Sequence, residues 1–256
     1  MFLTFKFKFM VVKTETGHAR NVAHFDELVN FCLGYGTAYN PAKASIKILA
    51  LQTLQTAAKN AITGINTNIP AYTNAVAARE LAFVPLSKLT TRIINSLIAS
   101  DTSDQVIDSA KTLARKLQGR RATPKTKTTL PAQGETVKEE DKTISASQMS
   151  YDNRLDNFDK LIKLLTTVTS YTPNEADLKV TALTTLFTDL KTKNTAVLTA
   201  EVPISNARIT RNDVLYKANT GLTDVAADVK AYIKSLYGAG SPQYKQVSKL
   251  AFTTVK

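Results

Sequence analysis

Apolar residues recur at helical spacing along most of the chain, and one block of that pattern occurs twice. Val22, Phe25, Leu28, Val29 and Cys32 fall on one helical face. Leu155, Phe158, Leu161, Ile162 and Leu165 repeat the spacing in "NFDKLIKLL", which echoes the upstream "HFDELVNFC". Each block is followed by a tyrosine and a proline, in "YNPAKASIKILALQTL" from Tyr39 and "YTPNEADLKVTALTTL" from Tyr171. Asn40 and Thr172 are expected to cap a helix, with Pro41 and Pro173 at its first position, where a missing N–H costs nothing. Thr172 with Glu175 spells a capping box. The same apolar seam continues beyond, as Leu51, Leu54, Ala58, Ile62 and Ile65 against Leu183, Leu186, Leu190, Asn194 and Val197. Ala-Arg recurs at Ala78-Arg79 and Ala207-Arg208, and Ser-Leu at Ser96-Leu97 and Ser235-Leu236. A capped block repeated together with its seam is the signature of a tandem duplication of a helical unit.

The periodicity predicts helices over 21–35, 41–66, 70–83, 85–99 and 103–117 in the first copy. In the second it predicts 152–169, 173–199, 203–219 and 222–237, with a short element after Pro242. Pro70 and Pro203 either start new helices or bend long ones. Between the copies, residues 119–150 carry Pro, Gly, Thr and charge without apolar periodicity, which reads as a linker. The expected fold class is all-α: two tandem, duplicated antiparallel bundles of about four helices each, at 18–118 and 151–256, joined by that flexible linker. The first 17 residues are apolar and basic, but Lys6 and Lys8 interrupt them and no small-residue cleavage pattern follows. They are expected as a flexible tail, with Met10 as a second candidate start. No apolar run approaches the length of a transmembrane helix.

Three further segments carry a resemblance. "KLQGRRA" closes the first copy, "RNDVLYKANTGLTDVAADVKAYIKSLYGAGSPQYKQVSKLAF" closes the second, and "TALTTLFTDLKTKNTAV" forms a helix within it. From about His18 onward the chain resembles a family of uncharacterised helical proteins of the kind found in Bacteroidota. The resemblance implies tandem helical bundles and supplies no site residues.

Of the 256 residues, 43% are apolar, enough for one large core or two modest ones. A single cysteine excludes an intrachain disulfide and suits a reducing compartment, so a cytoplasmic location is expected. The net charge of +12 favours acidic partners. Its densest window holds Lys111, Arg115, Lys116, Arg120, Arg121, Lys125 and Lys127 without an acid, a stretch suited to lie along phosphates. Aromatic residues for base stacking are absent from that window, and "EEDK" follows it.

Reactive donors are few. His18 and His24 are the only histidines, and beside Glu15-x-x-His18 the sequence holds no second Glu-x-x-His, where bundle di-iron sites need two. Cys32 sits in the apolar seam, where a packing cysteine is expected rather than a catalytic thiol. "GAGS", Gly238 to Ser241, lacks the lysine and the preceding strand of a phosphate loop, and reads as a helix stop followed by a Ser-Pro start. Asp26, Glu27, Asp224 and Asp228 fall on polar helix faces. Arg79, Arg208 and Arg211 lie within predicted helices, with Arg79 and Arg208 taken as counterparts, and a packing role is expected for them. No enzyme, cofactor or metal is expected. The reading is a non-catalytic scaffold or interaction module with a protein partner. The alternative is a basic protein that binds nucleic acid or another polyanion without sequence preference.

Overall fold

Residues 15–120 and 149–254 are described by a computed structural model, and among them all regular structure is helical. The first 14 residues, the linker from 121 to 148 and the last two residues lie outside that set. Helix α1 spans Glu15–Gly34, so the expected tail stops short of residue 17, and the first turn of α1 takes its last residues. Helix α2 spans Ile48–Phe83, α3 Leu86–Ile98 and α4 Asp104–Gln118. After the linker come α5 at Tyr151–Thr166, α6 at Val180–Tyr216, α7 at Leu222–Tyr237 and α8 at Pro242–Ser248.

Both prolines left open by the sequence lie inside long helices, Pro70 in α2 and Pro203 in α6. An interior proline costs about 3 kcal/mol, because it removes an N–H and crowds the preceding turn. Threonine, a mediocre helix former, is frequent in both helices. Hydroxyls such as those of Thr63, Thr67, Thr184 and Thr188 donate to the carbonyl four residues back. This accommodates the side chain without leaving its donor unused.

The cap assignment at Asn40 and Thr172 is overturned. Helices α2 and α6 begin at Ile48 and Val180, well beyond Pro41 and Pro173. The intervening chain makes a 3-10 turn instead, at Ala44–Ile46 and at Ala176–Leu178. The repeated tyrosine is the cause. The buried hydroxyl of Tyr39 donates to the carbonyl of Ile46 at 2.8 Å, and that of Tyr171 to the carbonyl of Leu178 at 2.9 Å. Each staple spans seven residues and tucks Ile46 or Leu178 into a core. Glu175 has extended backbone ahead of its 3-10 turn, so the Thr172–Glu175 capping box does not start α6.

Two glycines are required by their surroundings. Gly119 ends α4 with φ 67°, and the Arg120 N–H reaches back to the Arg115 carbonyl at 2.9 Å, as in a Schellman stop. At Gly221, between α6 and α7, a Cβ would lie 2.6 Å from the Lys217 backbone nitrogen.

The chain divides into two compact units, and neither coincides with the expected bundles at 18–118 and 151–256. One takes the described residues of Met1–Ala71 and Ala200–Lys256, and the other those of Tyr72–Thr199. In the first, α1 and the 3-10 turn at Ala44–Ile46 pack on α7, which also packs on α8. Its core joins Phe25, Leu28 and Leu51 from before the linker to Leu215, Leu222 and Val229 from after it. In the second, α4 packs on both α3 and α5, and the 3-10 turn at Ala176–Leu178 packs on α3. That core joins Phe83, Ile93 and Leu117 to Phe158, Leu161 and Leu183. All ten residues of the paired seams at α1 and α5 are buried, so the apolar pattern named the correct faces. The partners differ from those expected, because α1 and α5 each pack on helices from across the linker.

Charge agrees with this exchange. Lys43, in the turn before α2, pairs with Asp228 of α7, and Asp177, in the turn before α6, pairs with Arg92 of α3. A contiguous arrangement would place Lys43 near Arg92 and Asp177 near Asp228, like against like. Exposed pairs contribute about 0–1 kcal/mol each, so they bias the pairing, while apolar fit provides the main driving force.

Candidate functional site

The sparse reactive side chains of the sequence are absorbed by packing. Cys32 has no solvent exposure and belongs to the core around Phe25. Burial pushes its thiol up to about 11, and only a small fraction ionises at neutral pH. Iodoacetamide at pH 8 is therefore expected to leave Cys32 unmodified in the native protein and to alkylate it fully in denaturant, read by intact mass. The sign of the linkage follows: a thiol raised on folding contributes stability below its unfolded pKa, and that contribution is lost as pH rises toward 11.

His18 is buried, with Nδ1 2.6 Å from the Tyr216 hydroxyl. The buried Asn21 donates to that same hydroxyl and to the Thr253 carbonyl. His24 Nδ1 lies 2.7 Å from the Ala251 carbonyl. Both histidines thus hold the C-terminal segment and the end of α6 against α1. Among the described residues no group of three His, Cys, Asp or Glu side chains is placed to hold a metal ion.

The expected stop and restart at "GAGS" is present. Gly238 terminates α7 with φ 88°, and Ser241 caps α8 by accepting from the Tyr244 N–H, with Pro242 in the first turn. Three of the carboxylates singled out in sequence hold neighbouring elements or turns. Asp26 meets Lys59 and Gln55, Asp228 meets Lys43, and Asp224 accepts from the Asn219 N–H.

The arginines separate. Arg79 stacks on the Tyr151 ring at 4.0 Å and donates to Asn194, which in turn donates to Asp152. Arg211 is buried and meets the Asn212 side chain, whereas Arg208 is exposed. Counted from the helix starts at Ile48 and Val180, Arg79 has the same position in its helix as Arg211. The Ala-Arg match in sequence paired Arg79 with the wrong residue. Arg154, which sequence reading passed over, lies 4.9 Å above the Phe83 ring and donates to the Phe83 carbonyl. Desolvation lowers its pKa from the usual arginine value. Phe83 and Tyr151 meet edge-on at 4.9 Å, so two guanidiniums bracket a pair of rings.

Of the seven cations expected to meet polyanions, Arg121, Lys125 and Lys127 lie outside the described residues. Arg115 and Lys116 lie in the last turn of α4, where cations also complement the helix dipole, Lys111 lies about one turn earlier, and Arg120 follows the helix stop at Gly119. Lys111, Arg115 and Arg120 line a cleft of about 280 Å³ between α3 and α4, while Lys116 is exposed and is not part of the lining. Thr91, Ile94 and Asn95 form the α3 side, and Ala114 and Gln118 complete the α4 side. Among the described residues no carboxylate lines the cleft. Gln118 ties the two helices together by donating to the Ser87 carbonyl and the Thr91 hydroxyl. Arg115 Nη2 donates to Thr112 at 2.9 Å, and Lys111 has Asp108 at 3.5 Å, a loose exposed pair. The α3 contribution was invisible in sequence, since Thr91 and Asn95 carry no charge and lie some twenty residues away.

No family model, curated protein or solved structure matches the chain. Among the described residues no helix is long and apolar enough to cross a membrane.

Proposed function

We propose that the chain is a non-catalytic helical scaffold or interaction module, built from a duplicated helical unit whose two copies complete each other. The observation that carries this reading is the use of its reactive groups as structural parts. The thiol is inside a core, and from α1 one imidazole holds the end of α6 and the other the C-terminal segment. Such a protein works by presenting a surface, and its partner is expected to be another protein.

A second reading, polyanion binding, is favoured by the cation-lined cleft together with the +12 charge. The test is a pull-down from native lysate with the tagged full chain, run with and without nuclease. A protein retained at equal yield after nuclease supports the scaffold. Retention lost on nuclease treatment supports the polyanion reading. Turnover by the purified chain in a broad hydrolase screen, abolished by substitution at Cys32 or His24, would overturn the non-catalytic reading.

A further inference from the structure

We infer that the α3–α4 cleft is a seat for the backbone phosphates of a single-stranded nucleic acid; this rests on the polyanion reading and assigns it to three cations. Lys111 and Arg115 are one helical turn apart on α4 and rise about 6 Å along its axis. They face the same cleft. Arg120 joins them because the positive φ of Gly119 turns the chain back over the end of α4. The cations are therefore fixed by a helix and its stop, and are not scattered over a mobile surface.

The rest of the lining suits a phosphate with its sugar. The buried side chains of Ile94 and Ala114 make an apolar floor, and Thr91, Asn95 and Gln118 supply hydroxyl and amide groups. The cleft is a furrow of about 280 Å³ between two neighbouring helices, which suits one strand laid along it. Among the described residues no aromatic side chain lines it, so bases have no stacking platform there and binding is sequence-independent. The three cations and the amides at the rim pair with a phosphodiester and not with the acyl chains of a membrane.

The probe is a fluorescein-labelled 20-mer of deoxythymidylate, followed by anisotropy across a salt series with the full chain. Arg115→Ala with Arg120→Ala should weaken binding roughly tenfold at about 50 mM salt, and should lower the salt slope by about 1.4, near 0.7 for each lost phosphate contact. The matched control, Lys116→Ala with Lys191→Ala, removes the same charge from exposed positions outside the cleft and should change affinity less than about threefold. Arg115→Lys with Arg120→Lys keeps the charge and should recover most of the slope, which a loss of folding would not allow. Equal losses in the two alanine pairs would overturn the cleft assignment and leave a diffuse polyanion surface. No binding by the unaltered chain at low salt would overturn the polyanion reading as well. Tight binding to phosphatidylglycerol vesicles with none to the 20-mer would give the cleft to a lipid surface and sink the proposal.

Discussion

Phe158→Ala is expected to destabilise α3 and α4, which lie on the other side of the linker in sequence. The Phe158 side chain has no solvent exposure and sits in the core with Ile93 and Leu117. Truncating a buried phenylalanine costs about 3–5 kcal/mol, through lost transfer energy and the cavity left behind. Amide hydrogen exchange followed by mass spectrometry should therefore show faster exchange in α3, α4 and α5 together, since they share one core. The matching change, Phe25→Ala, should loosen α1, α7 and α8, because Phe25 packs in the core with Leu222 and Val229. Loss of protection limited to the mutated helix and its neighbours on the same side of the linker would contradict the exchanged cores.

Cutting the linker should leave one particle. With a specific protease site inserted within 121–148, the two fragments of the full chain are expected to co-elute in size exclusion and to part only in denaturant. Each compact unit takes residues from both fragments, so separating them would expose half of each core. At about 25 cal/mol per Å² of apolar surface, opening two cores exceeds the whole net stability of an ordinary domain. Fragments that elute apart, each helical and monomeric, would show that each copy folds alone. The ion pairs Lys43–Asp228 and Arg92–Asp177 both cross the cut. Their single reversal should shift the midpoint only slightly, given the small worth of exposed pairs.

The contrast between these expectations and the sequence reading comes from particular residues. Leu51, Ala58, Leu183 and Leu190 were placed in an apolar seam by spacing alone, and all are buried. A period of 3.6 residues determines which face of a helix is apolar wherever the helix packs. Helix α7 was predicted at 222–237 and runs from Leu222 to Tyr237, because Gly221 and Gly238 bound it on both sides. The segments after Tyr39 and Tyr171 were misread, since a tyrosine hydroxyl reaching a carbonyl seven residues on has no signature in local propensity. The basic window was visible as charge, but Thr91 and Asn95 entered the cleft only when α3 came to lie beside α4.

Sequence alone determined that this chain is helical, which faces are apolar, where several helices stop and where cations concentrate. Each of these depends on residues close together along the chain, through helical period, capping and φ restrictions. Tertiary structure alone decided which helices pack together across the linker and that Pro70 and Pro203 sit inside long helices. The two seams are nearly the same in pattern, so either could serve as a partner for α3 or α7. The choice between them came from the fit of whole cores and the signs of a few charges, which a one-dimensional pattern does not contain.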